Sequence, residues 1–278
     1  MPAPDLHFPV PEDLLARATR FYRAEERPVP PRVAATVVLL RPADAGDFEA
    51  YVIRRLAAMA FGGMHAFPGG GVDPTDSEGQ LDWAGPDTGE WGRRLGLSDG
   101  PAQAVVCAAV REVFEEAGVL LAGPGGDTVV GDVSGDDWEA ARRALVAREL
   151  GFADLLRERR LTLRSDLLVP WSRWITPEFE PRRFDTYFFV ALLPRGQRTR
   201  DVSGEADHTM WIKPAEAVAR AEAGGFAMLP PTLVTLREVA ACADIPAVLA
   251  AAADRDAGRI IMPKLEVMPD GEVRFVLS

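Results

Sequence analysis

Arg111-Glu112-Val113-Phe114-Glu115-Glu116-Ala117-Gly118-Val119 decides how the rest of this chain is read. On a helix, Glu112 and Glu116 lie four apart on one face, and Glu115, three after Glu112, flanks it. Carboxylates crowded into little more than one turn repel one another, by roughly a few tenths of a kcal/mol per pair. A divalent cation among them removes that difficulty, since hard cations such as Mg²⁺ take one or two protein carboxylates together with substrate phosphates. Arg111, four before Glu115, is placed to hold that carboxylate. Val106, Val110, Val113 and Ala117 form an apolar stripe that docks the helix on a core, and Gly118 supplies the C-cap. Such a segment alone also describes the wet face of a surface helix. The upstream turn Pro68-Gly69-Gly70-Gly71 argues for a site, because backbone without side chains can approach a ligand or metal closely.

Composition narrows the field. The 278 residues carry a net charge of −11, which argues against a general nucleic-acid or anionic-membrane binder. A phosphorylated substrate stays open, because a bound metal supplies positive charge locally. With 47% apolar residues the chain can bury a substantial core. Cys107 and Cys242, the only cysteines, are too few for a disulfide scaffold, and a reduced cytoplasmic setting is expected. The N-terminus shows no signal pattern and no run approaches a membrane span, so no membrane partner is expected.

Patterning along the chain predicts a single α+β domain over 1–278, with a core at about 32–240. A helix is expected over Pro11–Glu26, a central strand over Val33–Leu40, and a second strand over Phe48–Arg54. Met64–Phe67 reads as a short strand ahead of the glycine turn. Residues 77–101, polar and acidic with Trp83 and Trp91, read as an insertion packing locally through its tryptophans. The acidic helix follows over Ala102–Ala117, then helices over Asp136–Leu150 and Phe152–Arg159. Leu167–Ile175 and Arg183–Leu193 read as strands joined by the Thr176–Arg182 turn, and Thr209–Ile212 as a short strand. Helices are expected from Lys213 to Ala223, from Pro230 to Ala243 and from Ala247 to Arg255. A hairpin of Ile260–Val267 and Glu272–Leu277 would turn at Pro269-Asp270-Gly271.

Together, Phe67-Pro68-Gly69-Gly70-Gly71 and positions 111–119 resemble the Nudix hydrolases. That family's box runs Gly, five residues, Glu, seven residues, then Arg-Glu-apolar-any-Glu-Glu-any-Gly-apolar. Gly70 opens it here, and 111–119 match the second half at every fixed place. The box is split: Gly70 to Arg111 is 41 positions where the family has fourteen, so about 27 residues are inserted. Counting forward from Gly70 puts Asp76 where the first Glu stands, and counting back from Arg111 puts Gln103 there. A split box resembles the branch similar to the peroxisomal coenzyme A diphosphatase of animals. Arg54, the run Phe61-Gly62-Gly63-Met64-His65-Ala66, the stretch Trp171-Ser172-Arg173-Trp174-Ile175-Thr176-Pro177 and Arg183-Phe184-Asp185-Thr186-Tyr187-Phe188-Phe189 support that likeness. Met59 stands where the branch's coenzyme A motif has a second Arg.

The resemblance implies an α/β/α sandwich, a mixed sheet between helices, and hydrolysis of a nucleoside diphosphate linked to another moiety with Mg²⁺ or Mn²⁺. Carried over by position, Glu112 and Glu116 are metal ligands, Glu115 joins them when more than one ion binds, and the Gly69 carbonyl completes the shell. Arg111 orients Glu115, and Asp76 and Gly118 are structural parts of the box. The general base is sought on a late loop, at Glu205 first, then Glu178 or Glu180, with a box glutamate such as Glu115 serving otherwise. Arg54, Arg173, Arg182 and Arg183 are candidates for phosphate, with the Gly70 backbone beside them. Trp174 or Phe179 is a candidate for stacking on adenine. His65 and His208 stand open between structural and site roles. Coenzyme A or acyl-coenzyme A is the favoured substrate. An ADP-ribose, dinucleotide or NADH diphosphatase is the second reading, and a non-catalytic ligand sensor or interaction module the third. Homodimerisation is left open.

Overall fold

The computed structural model of the chain describes residues 12–56, 62–78, 81–200, 206–267 and 273–277. After α1 (Glu12–Arg23) come β1 (Arg32–Pro42), β2 (Phe48–Arg55), β3 (His65–Ala66), β4 (Gly69–Gly71) and β5 (Trp83–Ala84). Next are α2 (Thr88–Leu95), α3 (Asp99–Ala117), β6 (Ala122–Gly123), α4 (Asp136–Val146), α5 (Phe152–Glu158) and β7 (Thr162–Arg164). The chain continues through β8 (Leu168–Ile175), β9 (Phe184–Leu192), β10 (Ala206–Ile212), α6 (Pro214–Glu222), α7 (Pro230–Ala240) and α8 (Ile245–Ala253). It closes with β11 (Ile260–Ile261), β12 (Pro263–Val267) and β13 (Val273–Leu277).

The main sheet runs β10-β2-β1-β9-β8-β11, with β3 joined to β2 and β4 to β1. It is mixed: β1 pairs with β9, and β8 with β11, in parallel, while the remaining pairs are antiparallel. Strand alternation sends Val37, Leu39, Tyr51, Ile53, Tyr187 and Phe189 to one face, where α2 to α5 cover them. Val38, Leu40, Val52, Phe188 and Val190 go to the other, under α6 to α8. Near-continuous apolar β1 is therefore central and buried on both faces. The expected sandwich and its mixed sheet are present.

Where the structure departs from the sequence pattern, the causes are local. Residues 77–101 are more than a polar insertion. Asp87 caps α2 by accepting the Glu90 amide, and Gly96 closes it in the left-handed conformation at φ 67°. Trp91 is fully buried against Phe189 of the main sheet, so the tryptophan packs on the central core. α3 starts at Asp99, absorbing the end of that stretch. Gly69–Gly71, read as a turn, is a strand paired with Ala34–Thr36 of β1. Ile260–Ile261 leaves the predicted hairpin and pairs with β8 instead. β12 and β13 pair antiparallel and pack with α1 through Phe21, Leu265 and Phe275. The predicted turn at Pro269-Asp270-Gly271 lies outside the described residues. The small sheet β5-β7-β6 had no strand-like pattern, since each member has two or three residues.

Candidate active site

α3 lies across β1 and β4 with its acidic flank against the glycine strand. A Cβ on Gly70 would stand 2.5 Å from a Glu112 carboxylate oxygen, so only glycine leaves that side chain its seat. A Cβ on Gly69 would stand 2.5 Å from the Ala35 carbonyl oxygen, inside the neighbouring strand. The Gly69 amide donates to Glu116 Oε2 at 2.8 Å. The strand thus meets the helix through bare backbone, and two of the three box glutamates rest directly on it.

Arg111 organises the rest. Its Nε and Nη2 form a fork onto Asp76, both at 2.9 Å, and Nη2 also donates to the Gly71 carbonyl. Its Nη1 donates to Glu112 Oε1 at 2.8 Å and to Glu115 Oε1 at 3.1 Å. Asp76 is fully buried and Arg111 is 7% exposed. Asp76 also accepts the Asp73 amide, which closes a capping box on the single turn Pro74–Ser77. A planar guanidinium with five donors suits three acids and a carbonyl better than any other side chain. Burial works against its charge, but the bond to Asp76 and the Glu112 carboxylate outweigh that and raise its pKa. Burial pushes the Glu112 carboxyl up to about 7, opposed by Arg111 and reinforced by Glu115.

The chemistry of the donor set fits a cation. A carboxylate driven towards neutrality by burial beside a second acid is stabilised as an anion by a divalent ion. Glu112, Glu115 and Glu116 offer hard oxygen donors of the kind Mg²⁺ and Mn²⁺ prefer. Among the described residues no group of three His, Cys, Asp or Glu side chains is arranged to hold a metal ion. Mg²⁺ commonly takes one or two protein carboxylates and keeps waters and substrate oxygens.

Other sequence candidates are dispersed. Arg54 is in register with His65 and His208 on a row facing away from α3, where His65 stacks on Phe226 and bonds to the Ala227 carbonyl. Arg183 is buried, with Nε on the Thr176 carbonyl and Nη1 on the Val29 carbonyl; its donors tie the chain entering β1 to β9. Its Nη2 reaches the Met262 sulfur, so each guanidinium nitrogen has a partner within the chain. Arg173 forms a fork with Asp185 at 2.8 and 2.6 Å on the α3 side of the sheet. Glu180 pairs with Arg17 of α1 at 2.7 Å, and Glu178 raises the pKa of Tyr22 there, behind burial as the main cause. Trp174 and Phe179 are buried. Arg182 is exposed. Glu205 lies outside the described residues.

Sequence reasoning missed the supports at the C-terminal end of α3. Arg142 of α4 donates to the Glu115 carbonyl at 2.8 Å, one of the acceptors a helix end leaves open. Its Nε and Nη2 hold Glu139. The Arg200 amide donates to the Ala117 carbonyl, and its guanidinium lies over Gly118, where a Cβ would be 3.0 Å from Nε. In sequence, Arg142 three after Glu139 reads as an ordinary surface pair on an amphipathic helix; nothing local marks its second bond.

A glycine strand feeding a buried Arg-Glu-Glu-Glu helix within a mixed sheet sandwiched by helices defines the Nudix class of hydrolase fold. The sequence model of the NUDT19 Nudix domain matches residues 99–239, just over half of the chain, and the protein belongs to that family. The acyl-coenzyme A diphosphatase NUDT19 of Gallus gallus is 30% identical over 216 residues, covering 69% of this chain and 53% of the relative. Its Homo sapiens counterpart is 28% identical over 237 residues, covering 72% of this chain and 62% of the relative. The chain therefore spans little more than half the length of these curated relatives. Among solved structures, a NUDIX hydrolase from Alicyclobacillus acidocaldarius superposes with a TM-score of 0.66 at 26% identity, covering 83% of this chain and 99% of that one. Relatives in this family are hydrolases. No helix among the described residues is long and apolar enough to cross a membrane.

Proposed function

We propose that this protein is a divalent-metal-dependent diphosphatase that cleaves a nucleoside diphosphate derivative, with coenzyme A or acyl-coenzyme A as the favoured substrate. The observation that carries the reading is Glu112 and Glu116 seated against the Gly69–Gly70 backbone, with Arg111, itself locked onto Asp76, holding Glu112 and Glu115. Asp76 supports the claim that the split box is functional: counting forward from Gly70 puts it where the first box Glu stands, and it holds the arginine. The likeness to acyl-coenzyme A diphosphatases supports the substrate class.

Glu112 and Glu116 would hold Mg²⁺ or Mn²⁺, with Glu115 and the Gly69 carbonyl as further donors. When bound, the ion neutralises phosphate charge and lowers the pKa of an attacking water. The chain's own contribution is positioning. Arg111 keeps Glu112 and Glu115 oriented, Gly70 leaves room for the Glu112 carboxylate, and α4 steadies the last turn of α3 through Arg142. Glu205 is proposed as the proton acceptor, with Glu115 in that role if Glu205 is dispensable. Arg173 is proposed to meet the substrate, which is a small molecule; neither nucleic acid nor membrane is a partner. A single domain over 1–278 and a cytoplasmic setting complete the proposal.

The test is hydrolysis of coenzyme A, acetyl-coenzyme A, ADP-ribose and NADH with Mg²⁺ and with Mn²⁺, by wild type and by Glu116→Gln. Coenzyme A should be cleaved to phosphopantetheine and adenosine 3′,5′-bisphosphate, and Glu116→Gln should lose that activity. A coenzyme A rate no better than the ADP-ribose rate moves the chain to the second reading. Wild-type protein that cleaves none of them, while Glu116→Gln binds ligand equally well, leaves the sensor reading.

A further inference from the structure

Register across the sheet places one further residue on the face of the site. Gly70 of β4, Ala35 of β1, Tyr187 of β9 and Arg173 of β8 are direct cross-strand neighbours and so project from one face. That face is identified by Gly70, whose absent Cβ points at the Glu112 carboxylate. Tyr187 therefore stands on the Glu112 side, two strand spacings along, roughly 10 Å from Gly70. Ala35 is the residue in register between them.

Tyr187 is 1% exposed, and its hydroxyl has no hydrogen-bond partner among the described residues. An orphaned buried hydroxyl is unfavourable, and phenylalanine would fill the same space without it. The adjacent Phe188 and Phe189 do their packing as phenylalanines. Burial, then the Asp185 charge, raises the phenol's pKa to about 12, so at neutral pH it is a donor. Arg173 covers the ring, with its guanidinium carbon 4.8 Å from the centroid. Asp185 holds that guanidinium through Nε and Nη2, which leaves Nη1 for a ligand. A phenol and a tethered guanidinium side by side make a two-donor seat for a phosphate oxygen.

We propose that Tyr187 is a substrate-positioning residue whose hydroxyl donates to a phosphate oxygen of the diphosphate, with Arg173 shifting off the ring edge as the ligand enters. The assignment rests on the diphosphate lying at Glu112 and Glu116. It does not depend on which nucleoside derivative is cleaved. A nucleoside diphosphate is long enough to span the interval from Gly70 to Tyr187, and the donor pair faces the anion that the acids alone would repel.

Tyr187→Phe tests this by removing one oxygen. ADP with Mg²⁺ is the binding probe, measured by calorimetry, alongside kcat and KM for each diphosphate that the wild type cleaves. Affinity for ADP and kcat/KM should both fall by about tenfold or more, with the melting temperature unchanged or raised. Equal ADP affinity and equal kcat/KM in the two proteins overturn the inference, as does wild-type protein that neither binds ADP nor cleaves a diphosphate. Wild type that binds ADP in a Tyr187-dependent way yet hydrolyses nothing keeps the inference and sinks the hydrolase reading. If Tyr187→Phe folds poorly, wild-type protein labelled at the tyrosine Cζ decides. The Tyr187 carbon signal should shift on adding ADP with Mg²⁺ while that of half-exposed Tyr22 stays; an unmoved Tyr187 signal overturns the claim.

Discussion

Replacing Asp76 by Asn keeps the shape of the side chain and removes the charge that Arg111 grips. The ion pair is buried on both sides, with side-chain exposures of 9% for Arg111 and 0% for Asp76, so solvent screening gives little relief. Removing one member of a buried pair costs about 3–5 kcal/mol, because the other charge stays behind. Arg111 retains Gly71, Glu112 and Glu115, which places the expected loss near the lower end, about 3 kcal/mol. At roughly 2 °C per kcal/mol for a chain of this size, the melting temperature should fall by about 6 °C. Activity should fall further than stability, since a guanidinium no longer anchored by Asp76 can turn and take Glu112 and Glu115 with it. Thermal unfolding and hydrolysis with Mg²⁺ are measured on the same preparations. A melting point within about 2 °C of wild type, with unchanged kcat, would refute the reasoning that Asp76 fills the box position.

Gly70→Ala pushes the flexible end of Glu112, whereas Gly69→Ala meets the backbone of β1. The first should cut kcat with little change in melting temperature, and the second should destabilise by about 1–3 kcal/mol; urea titrations with kinetics separate them, and the reverse order defeats the geometry. Glu139 is held down to about 2, first by its bond to Arg142 and then by Arg143, against its burial. A depressed folded pKa means stabilisation that is complete above the ordinary glutamate range and is lost as pH falls towards 2. Glu139→Gln should therefore be less stable at neutral pH and flatter between about pH 4.5 and 2, as read by melting temperature against pH. Arg183→Ala strips the Thr176 and Val29 carbonyls of their donor and should destabilise by about 1 kcal/mol with KM unchanged; a raised KM at full stability would give Arg183 to the substrate.

Much of the site was legible because its chemistry is local in sequence. Glu112, Glu115 and Glu116 share a helix flank by spacing alone, and the glycines beside Pro68 announce a bare backbone. Asp76 could be located by counting, but its burial beneath Arg111 depends on a chain that leaves and returns over 35 positions. Arg54 and Arg183 read alike as candidate phosphate ligands. Their different surroundings are set by strand register and by the carbonyl of distant Val29, which no spacing reports. Tyr187 was hidden for the same reason: Phe184 to Val190 reads as uniform strand, and only its pairing with Ala35 puts the side chain on the sheet face that carries Glu112. α2 was overlooked although Asp87, Glu90 and Gly96 are ordinary start and stop signals, because polar, glycine-rich flanks masked its short apolar face.

The split box carries a lesson about chain length. Closing a loop costs free energy only as the logarithm of its length, so lengthening the interval from Gly70 to Arg111 from 14 to 41 positions adds about 1 kcal/mol. Burying Leu95 alone, within α2, returns about 1.5–3 kcal/mol. Distance along the chain between the two halves is therefore free to drift, and whole helices can be threaded into it. What cannot drift is the meeting of Asp76 with Arg111 in space. Searches for further proteins of this kind should accordingly look for that encounter, and allow the interval any length that can fold back on itself.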